Sequence, residues 1–137
     1  MKKNDTIRYH DPDMPIELHK FAKMLAAQNS IALKYWIRDA INNFTYDHYL
    51  FKASKHFCES IGSKTIRYHD NDMPIELHKR IKNIAKSNRL TIKLTVRLSI
   101  LKKLKENNII YFSVYINEIV RYIEIDDVLK KHEKNLI

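Results

Sequence analysis

Thr6, Ile7, Arg8, Tyr9 and His10 alternate polar and apolar side chains, with β-branched and aromatic members among them. Alternation of this kind predicts a short strand with one buried face. Ile7 and Tyr9 then face inward, while Thr6, Arg8 and His10 face outward. Asp11, Pro12 and Asp13 read as the turn that leaves the strand, because proline lacks a backbone donor and aspartate favours turns and helix N-caps. Pro15 fits the first turn of a helix. Leu18, Phe21, Ala22 and Leu25, at three-and-four spacing, carry that helix over residues 15–28. Asn29 and Ser30 break the pattern, and Leu33, Trp36, Ile37, Ala40 and Ile41 place a second helix over residues 32–44. Residues 45–58 are aromatic and helical in spacing. Farther on, residues 115–131 show the same spacing through Ile116, Ile119, Val120, Ile123 and Val128, and the apolar run 109–114 fits a short strand as well as a helix.

The first half of this pattern occurs twice. Thr6-Ile7-Arg8-Tyr9-His10-Asp11 returns as Thr65-Ile66-Arg67-Tyr68-His69-Asp70, and after Pro12 against Asn71 the match resumes at Asp13 and Asp72. The offset is 59 residues without a gap, and 20 of the 36 positions from Thr6 to Ile41 are identical to their counterparts. Most replacements keep their polarity: Leu25 stands against Ile84, Ile31 against Leu90 and Leu33 against Ile92. Leu77, Ile81 and Ile84 repeat the first helical stripe, and Ile92, Val96, Ile100 and Leu104 the second, with Thr91 as its cap. Two copies are too few for a solenoid, which needs three or more stacked units. Two paired units are expected instead, each covering the apolar face of the other in one body.

Charge narrows the partners. The 137 residues hold 25 Lys and Arg against 16 Asp and Glu, a net charge of +9. Such a field attracts polyanions, nucleic acid first among them, although a Lys-rich, Asn-rich and Ile-rich proteome makes many proteins basic for no such reason. Cys58 is the single cysteine, so an intrachain disulfide is excluded and a cysteine-built zinc site is not expected; a buried, reduced thiol is. One glycine and three prolines leave no glycine-rich phosphate loop or flexible linker. No apolar run nears the roughly 20 residues of a membrane span, and the polar start lacks a signal-peptide core. A cytoplasmic protein without a membrane partner is expected, with no cofactor.

Strand, helix, turn and helix in a basic unit, present twice, resembles the ribbon-helix-helix fold of the Arc and MetJ class of bacterial and phage DNA-binding proteins. The resemblance covers residues 6–44 and 65–104. Pro15 matches the start of the first helix, Leu18, Ala22 and Leu25 its core, and Ile37, Ala40 and Ile41 the core of the second; Ser30 stands where glycine is common. The resemblance implies a mainly α fold with a short two-stranded antiparallel ribbon, the two repeats forming a pseudo-dimer within one chain. A helical connector, residues 45–64, and a mostly helical C-terminal extension, residues 105–137, complete it. Both units in one chain is the organisation of TraY-type relaxosome accessory proteins of conjugative plasmids. One departure stands out: in the family the strand runs almost directly into the proline, whereas the alternation here ends at His10. Either the connection is longer, or Asp11, Pro12 and Asp13 belong to the strand, which would turn Tyr9, Asp11 and Asp13 outward. Carboxylates facing a phosphate-rich groove favour the first choice.

The family's ribbon enters the major groove and reads base edges with its outward side chains. Arg8 and Arg67 are the foremost base-reading residues, because a guanidinium donates two parallel hydrogen bonds to O6 and N7 of guanine. Thr6, Thr65, His10 and His69 flank them; the plainer alternative is that all six are solvated strand residues. The resemblance further implies a phosphate clamp at the start of each second helix, through Ile31, Ala32, Lys34, Arg89, Thr91 and Lys93. His10-Asp11 with Asp13, and His69-Asp70 with Asp72, allow a metal or acid-base reading, which His19 and His78 on the following helix could join. Turn formation explains those aspartates more simply, and neither a metal site nor an enzyme is expected. Trp36, Tyr46, Tyr49, Phe51 and Phe57 read as core rather than as stacking platforms for single strands.

The function expected is a sequence-specific double-stranded DNA-binding regulator, of plasmid or phage type, acting as a monomer with internal pseudo-symmetry or as a weak homodimer on DNA. A relaxosome accessory protein is the nearest variant. A protein-binding module, an antitoxin or a phage-encoded inhibitor, is the other class, with residues 105–137 as the surface for its protein partner.

Overall fold

The computed structural model describes residues 5–60 and 64–107. It is mainly helical, with one two-stranded antiparallel sheet. The order is β1 (Thr6–Pro15), α1 (Ile16–Gln28), α2 (Leu33–Asn42), α3 (His48–Cys58), β2 (Thr65–Pro74), α4 (Ile75–Ser87) and α5 (Ile92–Glu106). The extra elements expected at 109–114 and 115–131 lie outside the described residues.

Both strands are longer than their alternation suggested, and each runs straight into its proline. The turn expected at Asp11, Pro12 and Asp13 is instead a β-bulge. His10 pairs with His69, Tyr9 with Asp70 and Asp11 with Tyr68, but toward the ends Ile7 pairs with Met73 and Met14 with Ile66. Arg8 therefore opposes both Asn71 and Asp72, and Arg67 opposes both Pro12 and Asp13. The extra residue shifts the pleat by one, so the inward set reads Ile7, Tyr9, Asp11 and then Met14. A bulge also leaves a place for Pro12, which cannot donate to a regular ladder. The carboxylate of Asp11 accepts from the Asp13 amide at 3.1 Å, and Asp70 from the Asp72 amide at 3.2 Å, closing both bulges.

The aspartates do not cap the helices. Pro15 and Pro74 hold the N-cap positions, without a side-chain cap. The first amide of α1, on Ile16, donates to the Lys64 carbonyl at 2.9 Å, and that of α4, on Ile75, to the Asp5 carbonyl at 2.8 Å. The first amide of each helix is thus satisfied by the residue that leads into the strand on the other side of the sheet.

Both first helices end alike. Ile31 N–H donates to the Ala26 carbonyl and Ser30 N–H to Ala27, while Leu90 and Arg89 donate to Ala85 and Lys86. This closure turns the residue after the cap left-handed, and Ser30 and Arg89 both have φ of 57°. The glycine-like position read for Ser30 is therefore real in its backbone, though a Cβ occupies it.

One apolar cluster joins the elements: Tyr9, Met14 and Leu18 with Trp36, Ile37 and Ile41, and Tyr68, Met73 and Ile81 with Val96, Ile100 and Leu104. α1 packs against α2 and α5, and α4 against α5 and α2. α5 is the most enclosed helix, with Val96, Leu98, Ile100, Leu101 and Leu104 all fully buried. Its apolar stripe is wider than the sequence spacing suggested because α3 also lies on it. At the position 59 residues earlier than Leu98, α2 carries the exposed Asp39. Arg80 of α4 closes the far end of α2, donating to the carbonyls of Asn42 at 3.1 Å and Phe44 at 2.6 Å.

A left-handed residue with a Cβ costs about 1 kcal/mol relative to glycine. Ser30→Gly is expected to raise the unfolding free energy by up to about that amount in urea denaturation; a loss of stability would contradict the geometry.

Candidate functional site

The exposed face of the ribbon carries Thr6, Arg8, His10 and Pro12 from β1, and Thr65, Arg67, His69 and Asn71 from β2. The six residues expected to read bases thus lie on one surface. His10 and His69 sit opposite one another at its centre, ring centroids 6.3 Å apart. Among the described residues no carboxylate pairs with Arg8 or Arg67. Of the eight, His10 and His69 are direct cross-strand partners, Thr6 and Thr65 pair with Pro74 and Pro15, and the other four lie at the two bulges of the same exposed face.

The opposite face explains why that strip holds no acid. Asp11 and Asp70 point inward and are fully buried. Arg97 of α5 grips Asp11 with two hydrogen bonds, Nε to Oδ2 at 2.8 Å and Nη2 to Oδ1 at 2.6 Å. Arg38 of α2 grips Asp70 the same way, at 2.7 and 2.8 Å. Each guanidinium also donates to the backbone of the neighbouring bulge, Arg97 to the Asp13 carbonyl at 2.8 Å and Arg38 to the Asp72 carbonyl at 2.9 Å. Arg97 alone reaches the Cys58 carbonyl, at 2.6 Å, which ties α3 to the same cation. The strand reading that would have turned Tyr9, Asp11 and Asp13 outward is overturned: Tyr9 and Asp11 are buried, and Asp13 leans aside to α5.

Asp13 and Asp72 stay at the rim, each beside a lysine. Lys93 meets Asp13 at 3.0 Å and Lys34 meets Asp72 at 3.1 Å. The lysine hydrogen bond is the main reason that each of these carboxyls titrates below the usual carboxylate range. Two of the residues assigned to phosphate contact, Lys34 and Lys93, therefore already share their charge with an acid at the edge of the ribbon. Arg89 is exposed, as are Ile31 and Ala32. The two helix starts differ: Thr91 accepts from the Leu94 amide at 3.1 Å, whereas Ala32 provides no side-chain cap for α2. Tyr35 N–H donates to the Ala32 carbonyl at 3.1 Å, and the Leu33 and Lys34 amides before it have no acceptor among the described residues.

His10 faces out while Asp11 faces in, and His69 and Asp70 divide likewise, so neither His-Asp pair converges on a common point. His19 sits edge-on to Tyr68, ring centroids 6.3 Å apart, and burial holds both His19 and His78 below the ordinary value of 6.5. The aromatic residues set aside as core divide: Trp36 and Phe57 are buried, Tyr46 and Phe51 half-buried, and Tyr49 is 69 % exposed. Cys58 is buried, and burial pushes its thiol up to about 11, far from reactive thiolate chemistry.

The alternation of the strands gave the outward residues, but Arg38 and Arg97 escaped it. Both fall within helical stripes, and arginine at a core-adjacent position is the signal that pointed to a buried acid. No family model, curated protein or solved structure matches the chain.

Breaking a buried ion pair strands its partner and costs about 3–5 kcal/mol. Asp11→Asn is expected to destabilise by about that much and Asp70→Asn by less, since the Arg38 side chain is 15 % exposed and that of Arg97 1 %. Equal losses in denaturant titrations would argue against this difference in enclosure.

Proposed function

We propose that the chain is a sequence-specific double-stranded DNA-binding protein, two ribbon-helix-helix units in one chain paired as a pseudo-dimer, whose ribbon enters the major groove. The observation that carries this reading is the exposed strip of Thr6, Arg8, His10, Thr65, Arg67 and His69, with Asp11 and Asp70 held on the other face and the exposed Asp13 and Asp72 paired with Lys93 and Lys34 at its rim. A two-stranded ribbon fits a major groove about 12 Å wide. The pseudo-dimer is supported by reciprocity: Arg97 binds Asp11 across the two units, and Arg38 binds Asp70 in return. Lys93 with Asp13 and Lys34 with Asp72 repeat the exchange. Contacts that recur with the partners interchanged are the mark of a two-fold interface.

In this reading Arg8 and Arg67 recognise guanine through O6 and N7, and the residues beside them select neighbouring bases. Arg89 and the open amides that follow Ala32 hold the phosphates on either side, which positions the ribbon without reading sequence. The net charge of +9 supplies long-range attraction and makes affinity fall as salt rises, through release of counterions. A transcriptional regulator is the role we infer; a conjugative accessory protein would use the same surface with a different partner.

The test is selection from a randomised duplex pool with the wild type and an Arg8→Ala/Arg67→Ala double variant, at two salt concentrations. The wild type is expected to enrich a defined motif, and the variant to lose it while keeping weak, salt-sensitive binding. Each lost bidentate contact removes about 1–3 kcal/mol of discrimination. Selection of the same motif by the variant would contradict the assignment of the ribbon as the reading element.

A further inference from the structure

The strip is nearly but not wholly symmetric. One end presents Thr6 and Arg8 of β1 with Asn71 of β2, and the other presents Thr65 and Arg67 of β2 with Pro12 of β1. His10 and His69 lie between them. Three outward positions of each strand are thus alike, Thr6 with Thr65, Arg8 with Arg67 and His10 with His69, and the fourth differs in chemistry: an amide at one end, a pyrrolidine ring at the other. Both sit at a bulge, where Arg8 opposes Asn71 and Asp72, and Arg67 opposes Pro12 and Asp13. Asn71 and Pro12 are exposed, and no hydrogen bond within the described residues engages the Asn71 amide. The amides of the two bulges are closed by Asp11 and Asp70 in the same way, so the backbone that presents them is matched.

We propose that Asn71 is the residue that sets the orientation of the protein on its DNA site, by reading an adenine in one half-site at a position its counterpart Pro12 leaves unread. A carboxamide offers a donor and an acceptor side by side, the pattern that matches N7 and N6 of adenine in the major groove. Proline has neither group on its side chain and can make only apolar contact. The site is therefore an inverted repeat whose halves share the bases read by Arg8 and Arg67 and differ at the base pair beside them. This inference rests on the DNA-binding reading and adds a direction to it.

The experiment repeats the duplex selection with the wild type, Asn71→Ala and Pro12→Asn. Both substitutions fall on exposed side chains, and the second places in β1 the residue β2 already carries at the equivalent bulge, so folding is checked by thermal melting against the wild type. The wild type is expected to prefer adenine on the order of tenfold at one position of one half only. Asn71→Ala abolishes that preference, and Pro12→Asn extends it to both halves and yields a full inverted repeat. A fully symmetric wild-type motif, or an asymmetry that persists in Asn71→Ala, overturns the role of Asn71 while the DNA-binding reading stands. A wild-type pool with no enrichment overturns both.

Discussion

The arrangement depends on two buried ion pairs, Arg97 with Asp11 and Arg38 with Asp70. Removing four charges from water is costly, and such pairs often contribute less to stability than apolar residues of the same size. What they supply here is position. A fork of two parallel hydrogen bonds fixes each guanidinium against one carboxylate, and the further bond to the Asp13 or Asp72 carbonyl fixes the bulge. A strand slipped by one residue would turn its aspartate outward and leave the facing arginine, the buried Arg97 or the partly buried Arg38, without its partner. The register of the strands and the placement of α2 and α5 are consequently one constraint.

From that constraint follows the chemistry of the exposed face. A strand containing the run His-Asp-Pro-Asp or His-Asp-Asn-Asp would be a poor surface for a polyanion if it alternated regularly. The bulge and the inward aspartates divide these residues: the acids go to helix arginines or to rim lysines, and the arginines and histidines go outward. The two ends of the ribbon are then alike except for Pro12 and Asn71. Away from the ribbon the chain is less symmetric, since α3 covers α5 and ties to Arg97 through Cys58, while α2 keeps the exposed Asp39 at the place where α5 has Leu98.

Much of this was legible in the residues. The alternation of Ile7 and Tyr9 marked the inward side of β1, the stripes of Leu18, Ala22 and Leu25 and of Ile37, Ala40 and Ile41 marked α1 and α2, and Thr91 announced its own cap. The extent of the strands was not legible. Period alone stops at His10, because the bulge changes its phase at Pro12 and proline and aspartate are turn residues by local preference. Only a partner distant in sequence, Arg97, overrides that preference for Asp11. The wide burial of α5 was hidden for a similar reason: spacing reports one apolar face, whereas α3 also packs on this helix.

The most direct test of the account is to titrate the isotopically labelled protein with duplex DNA and follow its NMR signals residue by residue. The account predicts that the signals of Thr6, Arg8, His10, Thr65, Arg67 and His69 move together, with Tyr9 and Tyr68 on the buried face little changed. Perturbation that spares the ribbon and falls on the helices, or no perturbation at low salt, would contradict it.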